Sequence, residues 1–95
     1  MFPFVDFDLS FVVDDALSVK QVIEATQAAA GELLEGAEVF DEYRGPDLEA
    51  GTRAVGIRYR LRAPDRTLTN PEVGPVRVAM ISAAEALGAT LRGAK

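Results

Sequence analysis

Asp41 and Tyr43 stand two residues apart in the stretch VFDEYRG, residues 39–45. In an extended chain that spacing puts both side chains on one face. A tyrosine ring offers a flat platform on which a base can stack. Further on, Arg58, Arg60 and Arg62 alternate in the same way, and with Arg53 and Arg66 they place five arginines within fourteen positions. Such a cluster reads either as the solvated side of a strand or as a face that meets anions such as phosphates. Histidine and cysteine are both absent. That removes disulfides, thiol nucleophiles, zinc sites and imidazole acid–base chemistry together, so a stand-alone enzyme is not expected. The acidic pairs Asp14-Asp15 and Asp41-Glu42 lack a convergent set of ligands and read as solvated carboxylates, with no metal site suggested.

The elements that must position these groups fit one small domain spanning residues 1–95. With 48% of its residues apolar the chain has enough for a packed core and too many for intrinsic disorder. No run of apolar residues reaches membrane-spanning length, and the start MFPFVDFDLS has neither the basic opening nor the clean apolar centre of a signal peptide. The net charge of −5 is unevenly spread. Residues 1–50 hold twelve acids and two bases, whereas residues 51–95 hold three acids and eight bases.

DLSFVV is β-branched and aromatic and predicts a first strand, ended by Asp14-Asp15. Ser18 with Gln21 predicts a capping box, and Val19, Val22, Ile23, Thr26, Ala30, Leu33 and Leu34 repeat at helical spacing up to a stop at Gly36. AEVFDEYR is the second strand, GPDLEAG a loop, and TRAVGIRYRLRAP a strictly alternating third strand closed by Pro64. Thr69 and Glu72 predict a second capping box, before a helix with Val73, Val76, Met80, Ala83, Ala84 and Leu87 on its inward stripe. Pro75 falls inside that helix, which favours a tight opening turn with regular helix from about Pro75 onward. Gly88 ends it, and ATLRG is a short last strand. The order βαββαβ predicts a ferredoxin-like α+β sandwich: a four-stranded antiparallel sheet of order 4-1-3-2, with two helices on one face and the other face open.

Alternation then assigns the faces. Leu9, Phe11 and Val13 turn inward, leaving Asp8, Ser10 and Val12 outside. Phe40 is expected inward, with Val39, Asp41 and Tyr43 outside. Val55, Ile57, Tyr59 and Leu61 turn inward, and Ala54, Gly56, Arg58, Arg60 and Arg62 outward. On the last strand Ala89 and Leu91 face in, and Thr90 and Arg92 out. Phe11, Phe40, Ile57, Leu61, Leu33 and Leu87 are expected to form one core. The open face thus has a small-residue floor (Ser10, Ala54, Gly56) beside a tyrosine, an aspartate and arginines, a platform for a stacked base with cations for phosphates.

The same residues carry a resemblance. DLSFVV, VFDEYRG, RAPDRTLTNPEV and ALGATLR, in this order and spacing over roughly residues 3–92, resemble the ferredoxin-fold anticodon-binding domain that ends the beta chain of bacterial phenylalanyl-tRNA synthetase. FDEYRG matches the family's Phe-Asp-x-Tyr-x-Gly, and Arg66-Thr67-Leu68-Thr69 its turn into the second helix. The resemblance implies that the open face packs on the anticodon stem-loop of the phenylalanine tRNA. Tyr43 would stack on the first anticodon base and Asp41 accept from its edge, with Ser10 beneath and Arg92 holding the neighbouring base or backbone. Two positions depart from the family pattern. Phe7 stands where an arginine usually precedes the aspartate of the first strand, and Ala54 stands where a serine hydroxyl is usual, so one polar contact is expected to be missing.

The resemblance further implies an excised, non-catalytic module that orients tRNA for a phenylalanine-tRNA ligase in the cytoplasm. Its partners would be the tRNA, the rest of the beta chain and the alpha chain, with no membrane and no DNA. No cofactor is expected in the domain itself, ATP and magnesium belonging to the full synthetase. Two other classes fit the same fold. An acylphosphatase-type enzyme would want an arginine in a phosphate-cradling loop and an asparagine placing a water, but the sole asparagine is Asn70 at a helix start. A regulatory or dimerising domain would bury the open sheet face or pair its edges, and a light-scattering concentration series separates it from an RNA binder.

Overall fold

The computed structural model describes residues 2–94. Strand β1 (Val5–Asp14) is followed by helix α1 (Val19–Ala30) and a 3-10 turn, Gly31–Leu33. Strands β2 (Leu34–Tyr43) and β3 (Thr52–Leu61), helix α2 (Asn70–Ala86) and strand β4 (Thr90–Ala94) complete the chain. The sheet runs β2-β3-β1-β4 with every pairing antiparallel, which is the predicted order 4-1-3-2 and a ferredoxin-like α+β fold.

Both capping boxes form: Ser18 Oγ accepts from the Gln21 amide at 3.1 Å while Gln21 Oε1 accepts from the Ser18 amide at 2.9 Å, and Thr69 with Glu72 repeats the pattern on α2. Helix α2 runs unbroken from Asn70 through Pro75 instead of becoming regular only there. At its start the Glu72 amide makes a three-residue bond to the Thr69 carbonyl, 3.0 Å. Helix α1 stops at Gly31, not Gly36. Gly31 takes a φ of 64°, a left-handed exit that glycine accepts without strain. Leu33 and Leu34, which continue the helical apolar spacing, instead pack against the core from the 3-10 turn and the start of β2.

The core lies between the sheet and the two helices. Leu9, Phe11, Val13, Ile57, Tyr59 and Leu61 come from the sheet, Val22 from α1 and Met80 and Ala84 from α2, all buried. The buried Tyr59 hydroxyl is satisfied by Thr26 Oγ1 at 3.0 Å, and Thr26 also donates to its own helix. Phe7 belongs to this side too, its ring 5.8 Å from that of Tyr59.

Two expected core members are elsewhere. Leu87 caps the end of α2 and is largely exposed. Phe40 is 46% exposed, on the opposite side of the sheet. The reason is a bulge in β2: Val39 pairs with Ile57, Asp41 pairs with Gly56, and Phe40 is the extra residue between them. Val39, expected outside, therefore shares the register of the inward Ile57, while Asp41 and Tyr43 keep their outward places. Among the described residues no helix is long and apolar enough to cross a membrane.

Candidate nucleic-acid interface

Pairing partners share a face, so the register lays the open side out in rows across the strands. One row reads Tyr43, Ala54, Val12, Thr90; the next reads Asp41, Gly56, Ser10, Gly93. Below these come Arg58 opposite Asp8 and Arg60 opposite Asp6. Ser10, Asp41, Tyr43, Ala54, Arg58 and Arg60 are thus brought onto one surface. Arg92 joins them by a second bulge, because β4 pairs Leu91 with Phe11 and Gly93 with Ser10 and leaves Arg92 as the extra residue.

At the upper corner Tyr43 is held in place. Its hydroxyl donates to Asp47 Oδ1 at 2.7 Å, and Arg92 donates to Asp47 Oδ2 at 3.1 Å. The Arg92 guanidinium also lies 5.0 Å from the Tyr43 ring centre. The tyrosine hydrogen bond holds the Asp47 carboxyl below its ordinary range, and the same bond raises the tyrosine hydroxyl. Gly45 is required by this arrangement, since a β-carbon there would overlap the Tyr43 hydroxyl. Tyr43 as a whole remains 37% exposed.

The arginines are not bare cations. Arg58 makes a bidentate pair with Asp8 at 2.9 and 3.1 Å, and Arg60 one with Asp6 at 2.8 and 3.0 Å. Arg62 Nε lies 3.0 Å from Glu35. The hydrogen bond from Arg60 holds the Asp6 carboxyl low. Phe4 stacks beneath Arg60 at 3.5 Å and lies 5.4 Å from Arg62, and Phe40 lies 4.9 Å from Arg58. Asp41 differs from Asp6, Asp8 and Asp47 in having no arginine beside it and no hydrogen-bond partner among the described residues.

The five-arginine cluster divides by role. Arg53, only 9% exposed, faces the helices and ties the corner between β1 and α1 through the carbonyls of Asp14 and Leu17, with Glu42 at 2.9 Å. Arg66 pairs with Asp65 and Glu72 at the start of α2. Only Arg58, Arg60 and Arg62 remain for the open face. Sequence reading missed Phe4, Phe40 and Asp47 as members of the site. Gly56 was the available signal for Phe40, because a glycine in a well-formed strand marks a close approach, and here the Phe40 ring lies 2.8 Å from where a β-carbon would be.

Residues 1–92 match the family model of the ferredoxin-fold anticodon binding domain. The chain is 41% identical over 93 residues to the phenylalanine–tRNA ligase beta subunit of Corynebacterium efficiens, which covers 97% of this chain and 11% of that protein. It is 45% identical over 92 residues to the same subunit of Corynebacterium jeikeium, covering 96% and 11%. Against that of Thermobifida fusca it is 40% identical over 93 residues, covering 97% and 11%. The chain spans about a tenth of the length of these relatives.

Proposed function

The chain belongs to the ferredoxin-fold anticodon binding domain family, and from that premise we propose that its open sheet face binds the anticodon stem-loop of the phenylalanine tRNA. In this reading the domain does no chemistry. It orients the tRNA for aminoacylation by the rest of a phenylalanine–tRNA ligase in the cytoplasm. ATP, magnesium and the contacts with the remaining beta chain and the alpha chain are assigned to that larger assembly. The observation that carries the proposal is one surface holding an exposed, tethered tyrosine, an aspartate with no partner among the described residues and a floor of Ser10, Ala54 and Gly56.

Tyr43 supplies stacking, which tolerates any base. Asp41 supplies selection, because a carboxylate only accepts and so favours a base edge carrying an N–H and an amino group, as guanine's does. Ala54 offers no hydroxyl, so selection rests on fewer polar contacts than a serine there would give. The test is a titration of the phenylalanine anticodon stem-loop and a variant with its first anticodon base changed. Asp41→Ala is expected to weaken the phenylalanine loop more than the variant and so narrow the gap between them. A full preference retained by Asp41→Ala would exclude direct reading by this carboxylate.

The paired arginines change the expected electrostatics. Four free arginines on four phosphates of a single strand would give a log–log salt slope near about −3. Arg58, Arg60, Arg62 and Arg92 each already face a carboxylate at about 3 Å, so the slope is expected to be shallower than that. Asp8→Asn, which keeps the shape and removes the charge beside Arg58, is expected to strengthen binding of all loop sequences alike and steepen the slope. Affinity measured at several salt concentrations for both proteins checks this, and an unchanged slope would mean Arg58 does not meet phosphate.

A further inference from the structure

The loop of residues 44–51 carries Asp47, which accepts from the Tyr43 hydroxyl and pairs with Arg92. Among the described residues, one residue outside the β2–β3 hairpin takes hold of both ends of this loop. It is Asp15, in the turn between β1 and α1. At the start of the loop its two carboxylate oxygens face the Arg44 guanidinium at 2.9 and 3.1 Å. At the end of the loop its backbone N–H donates to the Gly51 carbonyl at 2.9 Å. Arg44 also donates to the Thr52 carbonyl at 3.4 Å, which draws the two ends together. Inside the loop, the Leu48 amide donates to the Gly45 carbonyl and the Thr52 amide to the Glu49 carbonyl, each at 3.1 Å. These two turns set the curvature of the loop, not its angle to the sheet.

The turn that carries Asp15 is itself fixed. Asp14 Oδ1 accepts from the Ala16 amide at 2.8 Å, and the buried Arg53 donates to the carbonyls of Asp14 and Leu17. Arg53 also approaches Asp15 Oδ1 at 3.5 Å, so the carboxylate lies between two guanidinium groups. The hydrogen bond from Arg44 holds this carboxyl below its ordinary range. A path of contacts thus runs from a buried corner through Asp15 and the loop to Asp47 and the Tyr43 ring. Stability is a weak reason for the carboxylate, because Arg44 and Asp15 are both well exposed and exposed ion pairs add little. Electrostatics is a reason against it, since a negative charge near an RNA-binding edge repels phosphate. Resting on the proposed RNA-binding role, we propose that Asp15 is a positioning residue. It does not meet the RNA; it sets the angle of the 44–51 loop and, through Asp47, the posture in which Tyr43 is presented.

Asp15→Ala removes the carboxylate, keeps the N–H that reaches Gly51, and leaves Arg53 paired with Glu42 at 2.9 Å. Asp15→Glu keeps the charge and serves as the rescue. Posture is read first without RNA, from the ionisation of Tyr43 followed by NMR on ring-labelled tyrosine. The hydrogen bond to Asp47 raises that ionisation above its ordinary value, and Tyr59, buried against Thr26, is the internal reference. In Asp15→Ala the Tyr43 midpoint is expected to fall toward the ordinary value while Tyr59 stays in place; in Asp15→Glu neither should move. Binding of the phenylalanine anticodon stem-loop is expected to weaken by up to about tenfold in Asp15→Ala, even though a negative charge is gone, and to recover in Asp15→Glu. Added to Tyr43→Ala, Asp15→Ala should cost nothing more. An unmoved Tyr43 midpoint, an affinity equal to or above that of the unaltered chain, or a full further loss on top of Tyr43→Ala would each overturn the proposal. If the midpoint falls but the unaltered chain does not bind the stem-loop, the link from Asp15 to Tyr43 stands and the RNA-binding reading fails.

Discussion

Leu61→Ala is expected to lower the unfolding free energy of the domain by about 2–5 kcal/mol, a large part of the roughly 5–15 kcal/mol that holds a domain together. Leu61 is fully buried at the end of β3, where it pairs with Val5 of β1 on one side and Leu34 of β2 on the other. It is flanked by β1 and by β2, which the 3-10 turn leads into, and these elements would have to move together to fill the space left by the lost isopropyl group. The shift should come as a lower denaturant midpoint with an unchanged slope. Arg60 and Arg62, its neighbours in sequence, face the other way, so RNA affinity measured well below the transition should change little. A stability loss under about 0.5 kcal/mol, the range of surface substitutions, would mean that the face of β3 is inverted.

Tyr43→Ala is expected to weaken every anticodon loop by a similar factor of about ten, because stacking on a ring does not discriminate among bases. The same direction is expected of Gly45→Ala, although it leaves the tyrosine in the sequence. Its β-carbon would occupy the space of the Tyr43 hydroxyl and push the ring off Asp47. Asp47 would then keep only Arg92, and the corner that presents the ring would open. The pair of variants separates the ring from its posture. Loss in Tyr43→Ala alone would mean that the ring works however it is held, and loss in neither would remove stacking by Tyr43. Circular dichroism and melting are expected to be nearly unchanged in both, since neither position contributes to the buried core.

Most of the fold was legible because its signals are local and periodic. The two capping boxes mark helix starts through bonds that span three residues, and the alternation in β3 fixes both of its faces. Residues on β3 and β1 therefore fell where the pattern put them, including Ser10, Ala54, Arg58 and Arg60. The misplaced strand residue has a plain cause: period-two reading assumes that no strand carries an extra residue. Phe40 is such a residue, and its bulge moved an aromatic from the expected core onto the open face, whereas Arg92, the extra residue of β4, still lies outward as expected. The ion pairs were hidden for another reason. Asp6 and Arg60 are 54 positions apart, and only the register of β1 on β3 sets them opposite each other. Asp47 lay in a segment legible only as a loop, and its role depends on where the Tyr43 ring turns.

The most direct measurement is an NMR titration of this chain with the phenylalanine anticodon stem-loop, following backbone amide shifts. The expected result is a continuous patch on the open face, with changes at Ser10, Asp41, Tyr43, Gly56 and Gly93, in the 44–48 loop and at Arg92. The outer surfaces of α1 and α2, Val78 and Leu87 among them, should stay silent. Shifts centred on those helices, or no shifts at RNA concentrations that saturate the larger enzyme, would contradict the assignment of the open sheet face as the anticodon-binding surface.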